Sequence, residues 1–119
     1  MTIRENLRPM RDLVAMLPRL PIGGDLQVDF AAAERRVLLC IADDAETTMA
    51  VIQSGLGALG QLLAHSAVEI EDGTIGADSL ESLGFLMAEL GDLAAACMTL
   101  SVHCRRASKS SAAGSRPAT

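Results

Sequence analysis

The chain has 119 residues, enough for one domain with a modest core. Half of it is apolar, yet Phe30 and Phe85 are its only aromatics, which makes the core aliphatic and excludes an aromatic platform for stacking single-stranded nucleic acid. The net charge of −5 hides a partition: residues 1–42 carry six Arg against five acids, residues 43–104 carry ten acids and no Lys or Arg, and residues 105–119 carry four basic residues and no acid.

Thr2 with Glu5 three positions later reads as a capping box. Leu7, Met10, Val14 and Leu17 then make a helical stripe, with Pro9 permitting a helix start and Pro18 marking a stop. This short basic helix is expected to pack on a helical hairpin formed further along the chain. After the turn-rich stretch 18–24, Leu26, Val28 and Phe30 alternate with polar residues, and Val37, Leu39 and Ile41 alternate again. That pattern predicts a small β-ribbon over about 26–41, although Ala31–Ala33 favours helix and Phe30, Val37 and Ile41 also fit one helical face.

Asp43 or Asp44 then reads as an N-cap, with Glu46 in the first turn. From there the chain is uncharged between Thr47 and Val68, and Met49, Ile52, Leu56, Leu59 and Leu63 are spaced as the stripe of an amphipathic helix over about 45–68. The run is long enough to be tested as a membrane span. Gln53, Gln61, His65 and the flanking acids, with no Lys or Arg anchor nearby, argue against insertion.

The helix carries Gly55, Gly57 and Gly60, which together cost about 2–3 kcal/mol against alanine and predict close approach of another backbone. These glycines also spell G-x-G-x-x-G, the turn that cradles a pyrophosphate. The first acid at a second strand end, Glu71, comes too early for that fold, and residues 61–119 cannot supply its remaining strands, so a packing helix is the expectation.

An acidic break with the turn pair Asp72–Gly73 leads to a second helix over about 79–104, capped by Asp78 or Ser79. Leu83, Leu86, Leu90, Leu93, Cys97, Leu100 and Cys104 form its stripe. Two matching stripes with a short connection predict a long antiparallel hairpin in a mainly α fold. Outside the stripe lie Leu80, Phe85, Met87, Ala94 and Met98, more apolar surface than one helix can cover, bordered by Glu81, Glu89 and Asp92. A second copy completing a four-helix centre is the simplest cover, and these eight residues are the candidate interaction surface. Residues 1–104 read as a single domain, and 105–119 as a disordered basic tail.

Candidate chemistry is sparse. Cys40, His103 and Cys104 could converge at one end of the hairpin as three zinc ligands, but there is no Cys-x-x-Cys pair and His103 and Cys104 diverge on a helix. Cys97 reads as core, and His65 has no nucleophile at a readable spacing. Glu69, Glu71 and Asp72 lack calcium-loop spacing. An odd number of cysteines behind an N-terminus without an apolar leader points to reduced thiols in the cytoplasm.

The expectation is therefore a non-enzymatic protein–protein interaction module without cofactor or metal, homodimeric, with a protein partner of basic surface. An acidic chaperone or nucleic-acid-mimicking inhibitor is the variant of this reading. A thiol or zinc protein using Cys40, His103 and Cys104 is the alternative from another class. Contact with nucleic acid is expected only through the tail.

Overall fold

The computed structural model describes residues 8–114, so the Thr2–Glu5 capping box lies outside the described residues. The fold is mainly helical, with no β-strand among the described residues. Helix α1 spans Pro9–Met16, starting with proline where its missing N–H costs nothing, and a single 3-10 turn at Leu17–Arg19 ends it around Pro18. The chain then bends through Gly23 and Gly24 and makes one antiparallel bridge, Ile22 to Val28. Asp29 accepts the Ala32 N–H at 3.3 Å and caps a second 3-10 turn, Phe30–Ala32.

Helix α2 runs from Arg35 to His65, beginning ten residues before the expected hairpin helix. The predicted ribbon over 26–41 is therefore corrected: its first half is the bridged turn, and its second half is the first two turns of α2. Alternating Val37, Leu39 and Ile41 misled because Leu38 and Ala45 complete a helical face with Val37 and Ile41 instead, and those four are buried while Leu39 is only half-buried. Asp43, Asp44 and Glu46 consequently lie in the helix interior rather than at a cap.

At Ser66 the helix breaks, with the Ser66 hydroxyl donating to the Leu62 carbonyl at 2.6 Å. A short helix α3, Ala67–Glu71, carries the chain into the turn at Asp72–Gly73, where Gly73 takes φ +83°, a conformation glycine adopts at no steric cost. Helix α4 then extends from Ala77 to Gly114 and packs antiparallel along α2.

The expected disordered tail is corrected over residues 105–114, which continue α4. Its Ser-, Ala- and Arg-rich composition resembles a solvated linker, but Ser108 is buried and its carbonyl accepts from Arg35 Nε at 3.4 Å, tying this segment to the start of α2. Residues 115–119 lie outside the described residues.

The core sits at one end of this rod, which measures 73 × 36 × 20 Å. Helix α1 packs on α2 and the Phe30–Ala32 turn packs on α4, so the segment Pro9–Ala33 forms a roof over the end where α2 begins and α4 ends. Beneath it Leu13, Leu20, Val37, Leu38, Ile41, Ala45, Cys97 and Cys104 form one cluster. Ile52 is the last buried residue toward the tip on α2. Beyond it the two helices touch along a single seam of half-buried residues, among them Leu56, Leu59, Leu63, Leu83 and Leu90.

Candidate protein-binding surface

Eighteen residues make five full turns of an α-helix, so positions eighteen apart lie on one line along its surface. Leu62 lies on the line of Asp44, Gly55 on that of Val37, Leu86 on that of Cys104, and Phe85 on that of His103. At the roofed end three of these lines are buried, and the fourth is partly covered, His103 staying exposed. Asp44 and Val37 are buried, Cys104 is fully buried, and the Phe30 ring stacks on His103 at 5.1 Å between centroids. Toward the tip the same lines are bare: Leu62 is 64% exposed, Phe85 66% and Leu86 52%. Val51 and Leu93 flank them and are exposed too. In an antiparallel pair these lines of α2 and α4 share one broad face, which the roof covers at one end only.

The candidate surface residues divide around α4. Leu80, Met87 and Ala94 are half-buried and Met98 is exposed, all on the flank away from the roof. Phe85 and Glu89 lie on the roof side, while Glu81 and Asp92 point outward; all four are exposed. Leu86 and Leu93 belong to the expected buried stripe, yet lie more than two-fifths open to solvent, because the stripe is wider than the seam with α2. Leu62 and Val51 were not singled out by the sequence. No pattern could have identified them, since their exposure depends on where the roof stops.

A Cβ placed on Gly55, Gly57, Gly60, Gly84 or Gly91 would meet nothing within 4 Å. The tight neighbour expected for the α2 glycines is thus not supplied by the described residues. The G-x-G-x-x-G run lies inside a continuous helix rather than at a strand-to-helix turn, so its N–H groups are not gathered toward a phosphate.

Charge follows the same division. At the roofed end Arg105 Nε donates to Glu46 at 3.0 Å, and its terminal nitrogen donates to Glu46 at 3.0 Å and to Asp43 at 2.7 Å, while the Ser101 hydroxyl also donates to Glu46. The Arg105 hydrogen bonds hold the Glu46 carboxyl below its ordinary pKa, with burial opposing and Ser101 assisting. Residues 53–104 contain no Lys or Arg, and Glu69, Glu71, Asp72, Asp78, Glu81, Glu89 and Asp92 are all exposed. Hydrogen bonding by the Thr74 side chain, and by its N–H at 2.8 Å, lowers the Asp72 pKa and closes the turn.

Reactive chemistry is not assembled. Cys104 is fully buried, and its thiol is pushed up to about 11 by that burial. Burial also raises Cys97. Cys40 is half-buried on α2, and His103 is turned to Phe30. Cys40, His103 and Cys104 therefore do not form a ligand set, and no group of three or more His, Cys, Asp or Glu side chains among the described residues is placed to hold a metal. Two hollows beside the roof, one lined by Gly23, Asp25, Gln27 and Asp29 and the other by Arg19, Pro21, Glu34 and Val37, hold no His, Cys or Ser.

By length and composition alone, Ala77–Ser111 is apolar enough to cross a membrane. The chain matches no protein-family model, no curated protein and no solved structure.

Proposed function

We propose that this protein is a non-enzymatic protein-binding module, a small acidic helical regulator, adaptor or inhibitor, whose binding surface is the bare half of the α2–α4 hairpin. One observation carries the reading: Leu62 and Leu86 are each more than half exposed although Asp44 and Cys104, on the same lines, are buried at the other end of the same helices, and the equally exposed Phe85 lies beside Leu86. Contiguous exposed apolar surface rimmed by charge is characteristic of interaction sites. The seven exposed acids along this half favour a partner with a basic surface, as a chaperone or nucleic-acid mimic would have. Three free cysteines are in keeping with work in the cytoplasm.

A photo-crosslinking residue at Leu62, Phe85 or Leu93, with Arg36 as control, tests the surface in cells. Protein adducts are expected at the first three and not at Arg36. Adducts at none, or equally at Arg36, overturn the reading. For a basic partner, adduct yield falls in Glu81→Gln, Glu89→Gln and Asp92→Asn and with rising salt.

A further inference from the structure

We infer that the occupant of the bare roof-side face is a second copy of this chain, running antiparallel, so that each hairpin tip lies beside the other copy's roof. The inference rests on the protein-binding reading and names the partner. Sterics choose the direction. The roof stands on the same face as the bare lines, so two copies packed face to face with tips together would drive one roof into the other. Reversing one copy removes the collision and sets bare half against bare half.

The dimensions fit this arrangement. From Val51 to Glu71 the bare stretch is about 30 Å long at 1.5 Å per residue, and two helices side by side are about 20 Å wide. That is about 600 Å² per copy before any tip-to-roof contact, close to the ~800 Å² per partner of a standard stable interface. Charge bears on the direction as well. The tip carries Glu69, Glu71, Asp72 and Asp78, all exposed, so tips packed together would stack acid on acid, whereas the roof Pro9–Ala33 is near neutral, with Arg11 and Arg19 against Asp12, Asp25 and Asp29.

The midpoint of the bare stretch, where the two-fold axis crosses, is Gln61, one residue from Leu62. Residues at a two-fold axis meet their own copies. In a Cys40→Ser background, Leu62→Cys is therefore expected to form an intermolecular disulfide. Val51→Cys lies about 15 Å from the axis, so its two copies are about 30 Å apart and cannot bridge, since a disulfide needs Cα atoms within ~7 Å. Glu89 is the one carboxylate in the middle of this face, so Glu89→Gln tightens self-association severalfold, the opposite of its effect on a basic partner.

The deciding measurement is sedimentation equilibrium of the full chain from 1 to 200 µM (concentrations set roughly by the weak-to-moderate affinity of such an area). The expected result is a reversible dimer that Leu62→Asp weakens at least about tenfold with helix content by circular dichroism unchanged. A monomer throughout overturns the second copy, as does a Val51→Cys bridge equal to that of Leu62→Cys. A monomer that still gives protein adducts at Leu62 and Phe85 leaves the binding surface intact with another protein on it. A monomer that gives no adducts and sediments with phosphatidylcholine vesicles assigns the face to lipid and overturns both readings.

Discussion

The two halves of the α2–α4 hairpin are built from the same helices and nearly the same stripe, yet only one of them is a protein interior. Leu38 and Leu56 occupy one line of α2, eighteen residues apart; the first is fully buried and the second half-buried. The roofed half gathers three layers, α1 with the 3-10 turns, α2 and α4, and it adds the Arg105 clamp to Glu46 and Asp43. The bare half has one seam. A helix pair can bury about one stripe per helix, and a third element is needed to bury the flanks. Buried contacts therefore concentrate in the roofed half and exposed apolar surface in the other.

Substitutions can break this contrast. The largest effect is expected at Leu38→Ala, which opens a cavity in a packed core and costs about 3 kcal/mol, whereas Leu56→Ala costs about 1 kcal/mol because solvent and neighbours relax around it. Urea unfolding of both variants at monomer concentrations checks the difference, and equal costs would mean that the two halves are equally packed.

Thr48 is fully buried and its hydroxyl has no hydrogen-bond partner among the described residues. Thr48→Val keeps the shape and removes the unsatisfied group, so a gain of about 1 kcal/mol is expected in the same assay.

Arg105→Ala is expected to cost about 1 kcal/mol, since the clamp is bidentate but partly exposed and screened. Its pH dependence has a definite sign. The Glu46 carboxyl titrates lower when folded than its ordinary 4.5, so its contribution is present above that value and is lost as pH falls through the folded pKa. The gap between Arg105→Ala and the unaltered chain should narrow below about pH 4.5 and with added salt.

The smallest expected effect is at Gly60→Ala, where an added Cβ meets no other described residue within 4 Å. A gain of about 0.8 kcal/mol, read as a rise of several degrees in Tm, is expected from helix propensity. A loss would place a close neighbour on the flank away from the roof.

Much of the fold was legible because it is local. The three–four spacing from Met49 to Leu63 and from Leu83 to Cys104 specifies two helices, and Asp72–Gly73 with its acidic flanks specifies the turn between them. The ribbon failed because alternation over Val37, Leu39 and Ile41 is compatible with two periods, and burial of Leu38 decides between them. The tail failed for a related reason: Arg105 and Ser108 look solvated until Glu46, Asp43 and Arg35 come within reach across the helix pair. Of the candidate surface, Phe85 and Met98 were readable as surplus apolar residues, while Leu62, Leu86 and Leu93 were indistinguishable from seam residues of the same type and spacing.

The sequence by itself determined the helices, their antiparallel pairing and the acidic charge of the central segment, since periodicity, turn chemistry and ionisation are properties of neighbouring residues. Only the tertiary structure decided which stretch of each stripe is covered. That depends on where the Pro9–Ala33 segment comes to rest, and a contact between residues as distant in sequence as Phe30 and His103 fixes it. Burial is a property of the assembled layers, so Leu38 is core at one end while Leu56, eighteen residues along the same line, is only half-buried in the seam at the other.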